Sequence, residues 1–255
     1  MTIANNPFKT ANQLPQRPRR FMSDTLAPLE KIAIQSSSLV ICHDARFKSG
    51  GETCELPRYI FVGPQGGDAP IHVGIFAGIH GDEPEGTRAI VQFVKMLEAK
   101  PELAAGYCLT FYPICNPTGF EDGTRFSRNG KDLNREFWKN SGEPEVRLLQ
   151  AELMSRSFQG IVSLHADDAS ADLAGYPGRT TLAKYLFRRA SKPINNFEYA
   201  KSVLSAPPRA RPRPFEIFLA GSADPLSYVK EMEFIASLLM ILTEYREFIA
   251  YAPNL

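Results

Sequence analysis

Four side chains in this sequence could do chemistry together, and the first two lie three residues apart. In FAGIHGDEPEG (residues 76–86), His80 and Glu83 follow an apolar run at 71–79 that reads as a buried strand bounded by Pro70. A neutral imidazole and a carboxylate at that spacing suit one divalent metal. Zinc in a catalytic setting takes three such ligands and leaves a fourth position to water. The third candidate is His165, which ends the apolar run IVSLH (161–165) and is followed by Asp167 and Asp168. The fourth is Glu216, an acid inside FEIFLA (215–220), costly there unless it is paired or functional. Residues 116–137 add Asn116, Arg125, Arg128, Asn129, Asn134 and Arg135. A guanidinium among these could take a carboxylate or a developing oxyanion bidentately. Read singly, each has a plainer account: a strand-end histidine, a glutamate facing outward, a solvated basic loop. His43 and His72 have no acid at metal-ligand spacing and read as structural or exposed.

These residues need strands to carry them to one place. Strands are expected over 38–43, 56–62, 71–79, 106–114, 161–165 and 215–220, with a turn-rich stretch at 48–52. A helix is expected over 87–100, with Pro84 suited to its first turn. A second runs over 143–158 with Val146, Leu149, Leu153 and Met154 inward. A third closes the chain over 228–248, apolar at 229, 232, 235, 239 and 242. Strand and helix alternate, so the fold class is α/β with a parallel or mixed sheet. Parallel strands ending side by side would bring both histidines and Glu83 to the sheet edge where such folds place ligands. Residues 1–25 are polar and proline-bearing and read as a flexible arm; 26–255 read as a single domain.

The chain carries 29 basic and 28 acidic side chains, which gives no electrostatic reason to expect nucleic acid or an anionic membrane surface. No apolar run approaches the ~20 residues that cross a bilayer. The basic N-terminus is not followed by the apolar segment of a secretory signal. Cys42, Cys54, Cys108 and Cys115 show no paired metal spacing, and a reducing, cytoplasmic setting is expected.

HGDE at 80–83, NPTGF at 116–120, TR at 124–125, DLNR at 132–135, the strand-ending His165 and FEI at 215–217 together resemble the zinc carboxypeptidases of the carboxypeptidase A type. That superfamily also includes murein peptide amidases, aspartoacylase and succinylglutamate desuccinylase. The resemblance implies a three-layer α/β/α sandwich around a mixed, roughly eight-stranded sheet. It implies zinc held by His80, Glu83 and His165, with Asp132 orienting His80 from behind. It assigns the substrate's free carboxylate to Asn134 and Arg135, the scissile carbonyl to Arg125, and the general base to Glu216. The sequence departs from the pattern at Thr118, where the family's usual NPDG has Asp, and at Ser127, where amidase-type relatives tend to carry Asn. The family's capping tyrosine has no secure counterpart; Tyr199 lies too close to Glu216.

The leading expectation is a zinc-dependent hydrolase cleaving an amide bond next to a free carboxylate, as a metallocarboxypeptidase or murein peptide amidase does. The alternative enzyme is an N-acyl amino acid deacylase of the aspartoacylase and desuccinylase type. The alternative outside enzymes is a catalytically silent binding module. The expected partner is a small peptide or N-acyl amino acid with a free carboxylate; the sequence carries no signal of oligomeric state.

Overall fold

The computed structural model describes residues 19–65, 69–166, 174–178, 180–190, 192–193, 203–221 and 226–251. In chain order the elements are α1 (Met22–Gln35), β1 (Leu39–Cys42), β2 (Arg46–Ser49), β3 (Glu52–Glu55), β4 (Arg58–Val62), β5 (Ile71–Phe76), α2 (Pro84–Ala99) and β6 (Tyr107–Tyr112). There follow α3 (Pro117–Asp122), α4 (Pro144–Ser155), β7 (Gly160–His165), β8 (Ala174–Pro177), α5 (Thr181–Ala190), β9 (Lys192–Pro193), β10 (Phe215–Ala220) and α6 (Ser227–Tyr251). One mixed sheet of eight strands runs β1-β4-β6-β5-β7-β10-β8-β9, and β2 and β3 form a separate hairpin. Its centre is parallel: β5 pairs with β6 on one side and β7 on the other, and β7 pairs with β10.

Two apolar clusters flank this sheet and make the third and first layers. On one face α1, α2, α5 and α6 bury Leu29, Phe93, Leu186 and Phe234 against the strands. On the other, Val146, Leu149 and Leu153 of α4 pack with Phe76, Tyr112 and Phe158. The helix leaving β5, α2, thus packs on one face and α4, which leads into β7, on the other, the arrangement that opens a crevice at the carboxyl ends of the strands.

Four expectations shift. Met22 already opens α1, inside the stretch read as a flexible arm, while 1–18 lie outside the described residues. The turn-rich stretch becomes the β2–β3 hairpin, turning through Gly50 and Gly51 at positive φ. Met154 is 61% exposed, so α4 faces inward along Val146, Leu149 and Leu153 alone. In α6 the buried row is Phe234, Ile235, Leu238, Ile241 and Leu242; Met232 is 40% exposed because the sheet-facing stripe is rotated from the one the spacing suggested. Among the described residues no helix is long and apolar enough to cross a membrane.

Below the α4 face, Arg58 is buried and bonds to Glu152 Oε1 at 2.6 Å and to both carboxylate oxygens of Asp44. Glu152 also accepts from the Tyr112 hydroxyl at 2.6 Å and from Arg156. Removing one partner of such a buried network leaves charge uncompensated. Arg58→Ala is expected to destabilise the fold by about 3 kcal/mol in urea denaturation; a change under about 1 kcal/mol would class the network as ordinary surface pairing.

Candidate metal centre

The edge where β5, β6 and β7 end carries the candidate centre. β5 stops at Phe76, but its pairing continues through Ala77 and Gly78, whose carbonyls accept from the N–H groups of Cys115 and Asn116. This extension delivers His80 to the edge. Gly78 turns the chain at φ +61°, a left-handed conformation that glycine adopts without strain. Gly81 then lies against the start of α3: a Cβ there would sit 2.0 Å from the Gly119 carbonyl carbon, and one on Gly119 would sit 2.4 Å from the Phe126 carbonyl oxygen. Main chain therefore packs on main chain between the HGDE and NPTG loops. Pro84 opens α2 directly after Glu83, as expected.

His80, Glu83 and His165 offer ligand atoms within 4.8 Å of one another. His80 Nδ1 is 2.7 Å from Glu83 Oε1, and His165 Nδ1 is 3.6 Å from Glu83 Oε2. Each imidazole presents Nδ1 to the centre and faces a polar side chain at Nε2, through a hydrogen bond in His165 and through ion-pair proximity alone in His80. Asp132 Oδ1 stands 3.3 Å from Nε2 of His80, and the Ser163 hydroxyl stands 2.9 Å from Nε2 of His165. Ser163 was not singled out in the sequence; its signal is the alternation that puts 163 and 165 on one face of β7. Glu83 Oε2 also accepts from the Ala166 N–H at 3.0 Å.

The donor set fits a divalent metal. His165 Nδ1 is buried with no hydrogen-bond partner among the described residues, an orphan that a cation would satisfy. Burial holds His165 below the usual imidazole range and so keeps it neutral, outweighing the pull of Glu83. Burial also lowers His80, but the carboxylates of Asp132 and Glu83 win and raise it. Burial would raise Glu83, yet His165 and His80 hold it well below the usual carboxylate range. Asp132, despite its own burial, falls to about 2 through His80 and Arg125. Two imidazoles whose Nε2 atoms face polar side chains and one ionised carboxylate match the three-ligand set of open zinc sites.

The loop after β6 supplies the rest. Asn116 caps α3 by accepting from the Gly119 N–H, and its Nδ2 reaches the carbonyls of Ile79 and Arg125, each at 3.4 Å. One side chain so ties the residue before His80 to Arg125. The Arg125 guanidinium stands 3.6 Å from Glu83 Oε1 and 3.3 Å from Asp132 Oδ2, with 41% of its side chain exposed. Thr118 and Ser127, the two departures, hold this loop on α4: Thr118 Oγ1 donates to buried Glu145 at 3.1 Å, and Ser127 Oγ donates to Glu143 at 2.8 Å. An aspartate at 118 would set a second carboxylate against Glu145, so Thr suits this chain.

Three expected residues are placed differently. Asn134 is buried, but its Oδ1 accepts from the Leu204 N–H at 3.1 Å. Arg135, to which the resemblance assigned the substrate's carboxylate, ends a short 3-10 turn at Leu133–Arg135 and is exposed. Glu216 is not at the metal edge. It pairs with Ile161, four residues before His165, which puts it ~13 Å back along the sheet. The residue paired with His165 is Ala220. Phe218 comes between on the same face, stacked on the His165 ring at 4.0 Å. The Glu216 carboxylate instead accepts from the Ala206 N–H at 2.6 Å and pairs with Arg213 at 3.5 Å. A general base must come within hydrogen-bond reach of the proton it takes, and Glu216 does not. Asp167, Asp168 and Tyr199 lie outside the described residues.

Fold and centre together define a class of architecture: this is the mixed-sheet α/β/α fold seen in solved metallo-carboxypeptidase structures, with a candidate His/Glu/His metal centre at the carboxyl edge of its sheet. Residues 70–191, just under half of the chain, match the family model described as succinylglutamate desuccinylase/aspartoacylase catalytic domain. Among solved structures, the chain is similar to the metallo-carboxypeptidase of Burkholderia cenocepacia (TM-score 0.71, 17% identity, 90% of this chain and 70% of that one). It is similar to a candidate metallopeptidase of Shewanella amazonensis SB2B (TM-score 0.67, 20% identity, 86% and 91%). It is also similar to a Pseudomonas aeruginosa metallo-carboxypeptidase in complex with (2-guanidinoethylmercapto)succinic acid (TM-score 0.66, 16% identity, 90% and 70%). No curated protein matches.

Sequence reading also passed over Arg20, assigned to the arm. Its Nη2 donates to the Gly81 carbonyl at 2.6 Å while its guanidinium lies 4.7 Å from the centre of the Phe120 ring. Arg20 thereby pins the loop between His80 and Glu83 from outside. Arg20→Ala is expected to weaken zinc affinity about tenfold in a competition titration with a chromophoric chelator, with the circular dichroism spectrum unchanged. Unaltered affinity would make Arg20 a surface contact only.

Proposed function

We propose that this protein is a zinc-dependent hydrolase that cleaves an amide bond in a small substrate bearing a free carboxylate. The observation that carries the reading is the convergence of His80, Glu83 and His165, each imidazole facing a polar side chain at Nε2, beside a half-exposed Arg125. A bound zinc would supply a Lewis acid and lower the pKa of a water. Asp132 holds His80 with Nδ1 turned to the centre. Ser163 does the same for His165. Arg125 reaches past Glu83 toward solvent and offers its free N–H groups to the substrate's carbonyl oxygen, where negative charge develops. Arg135 takes the substrate carboxylate from the exposed rim, with Asn134 fixing the turn beneath it through Leu204. The four free cysteines agree with a cytoplasmic setting.

Two observations bear on the form of the chemistry. The 70–191 match favours an N-acyl amino acid deacylase, whereas the likeness to metallo-carboxypeptidases favours a peptidase. The succinic acid derivative held by the Pseudomonas aeruginosa relative carries two carboxylates, which supports a carboxylate-bearing ligand in either case. The position of Glu216 favours a third reading, a metal-centred binding module without a base.

A panel of C-terminal dipeptides, γ-glutamyl-diaminopimelate peptides and N-acyl amino acids, assayed with zinc and after chelation, separates the three. Zinc-dependent turnover of one class is expected; saturable binding of the panel with no turnover would establish the module instead. For the best substrate, amidating the carboxylate should cost about fivefold in kcat/KM, because a rim-exposed Arg135 forgoes only about 1 kcal/mol. Equal rates on acid and amide would remove the carboxylate anchor.

Glu216→Gln supplies a separate check. It is expected to keep zinc and turnover, since the carboxylate holds Ala206 and Arg213 rather than the water. A fall of about 10²-fold or more with zinc retained would restore Glu216 as the base.

A further inference from the structure

At the other end of the strands, where β7 and β10 begin, lies a cleft of about 500 Å³. That volume falls within the ~300–1,000 Å³ of small-molecule sites. Leu153, Phe158, Phe215 and Tyr245 give it an apolar floor. Its rim is the segment 206–214, stiffened by Pro207, Pro212 and Pro214 and carrying Arg209, Arg211 and Arg213. Of the three arginines lining the cleft, Arg213 alone meets a carboxylate, that of Glu216. Among the described residues, Arg209 and Arg211 make no ion pair and are exposed, Arg211 donating one Nη1 hydrogen bond to the Ala210 carbonyl and keeping its other N–H groups free of protein partners. Arg213 meets Glu216 at 3.5 Å without a hydrogen bond, and both Arg213 Nε and Glu216 Oε2 are buried with no hydrogen-bond partner. Glu216 is committed through its other oxygen to the Ala206 N–H. The guanidinium forks are therefore unsaturated, above a surface that favours hydrocarbon.

We propose that this cleft binds a small amphipathic monocarboxylate, its carboxylate on the arginines and its apolar body on the floor between α4 and α6. The site is separate from the metal centre. The six residues of β7 put ~20 Å between the two ends of the sheet, and no metal ligand lines the cleft. Charge complementarity selects an anion over a neutral or cationic ligand of the same shape. The apolar floor selects a hydrocarbon body over inorganic phosphate or a free dicarboxylic acid.

The test is isothermal titration of the zinc-free full chain, kept in chelator, with octanoate and 3-phenylpropionate, and with 1-octanol, octylamine and inorganic phosphate as controls. Saturable binding of one equivalent of carboxylate is expected, with 1-octanol and octylamine at least about tenfold weaker and phosphate silent. Arg209→Glu/Arg211→Glu changes only exposed side chains and should weaken octanoate by about tenfold or more. Ala210→Phe, which fills the rim, should reduce binding of both carboxylates without touching charge. No saturable heat, equal affinity for octanoate and 1-octanol, or indifference to the charge reversal would each overturn the proposal. So would carboxylate binding seen only when zinc is restored, which would assign it to the metal edge.

Discussion

β5 is paired in parallel on both sides, with β6 and with β7, and the site depends on that double pairing more than on any single contact. Parallel neighbours end at the same edge, so loops distant in the chain emerge beside one another. His80 and Glu83 leave β5, Asn116 and Arg125 leave β6, and His165 ends β7. The strands owe their burial to apolar residues on both faces, which is why they read as continuous hydrophobic runs rather than alternating ones. Helices on opposite faces then leave the edge open between them.

At that edge the Glu83 carboxylate is the shared element. One oxygen faces His80 and Arg125; the other faces His165 and the Ala166 N–H. Such a group would be expensive to bury alone, and the imidazoles that offset its burial are the ligands it would share with a cation. The polar residues behind them act at one remove. Asp132 and Ser163 fix the ring orientations, and Glu143 and Glu145 hold the loop that presents Arg125.

The parts legible in the sequence were those whose signal is local. His80 and Glu83 lie after an apolar run and before a proline that opens a helix, and His165 closes an apolar run of its own. Their convergence followed from strand alternation. The parts that were not legible depend on contacts distant in sequence. Glu216 stands in a motif whose order suggested a base, but order does not carry register. Pairing Ala220 with His165 sets Glu216 back by four residues, and nothing within FEIFLA announces that. Arg135 was assigned to the substrate's carboxylate by its motif, but α3 and a 3-10 turn fold the loop and leave Arg135 exposed at its outside. Arg20 belonged to a polar stretch with no periodicity, and only its distant partners Gly81 and Phe120 give it a place.

The Gly81–Gly119 approach has a consequence for how such a chain can change over time. The nearest obstacle that a side chain would meet at either position is main chain, which no substitution elsewhere can shrink. A side chain at 81 therefore has no compensating partner in the NPTG loop, while one at 119 would meet the Phe126 carbonyl and the Asn116 side chain of its own loop. Variation is channelled instead to the side chains that point away from the contact, such as those at 118 and 127, where hydroxyls facing Glu145 and Glu143 offer an alternative way to fasten the same loop.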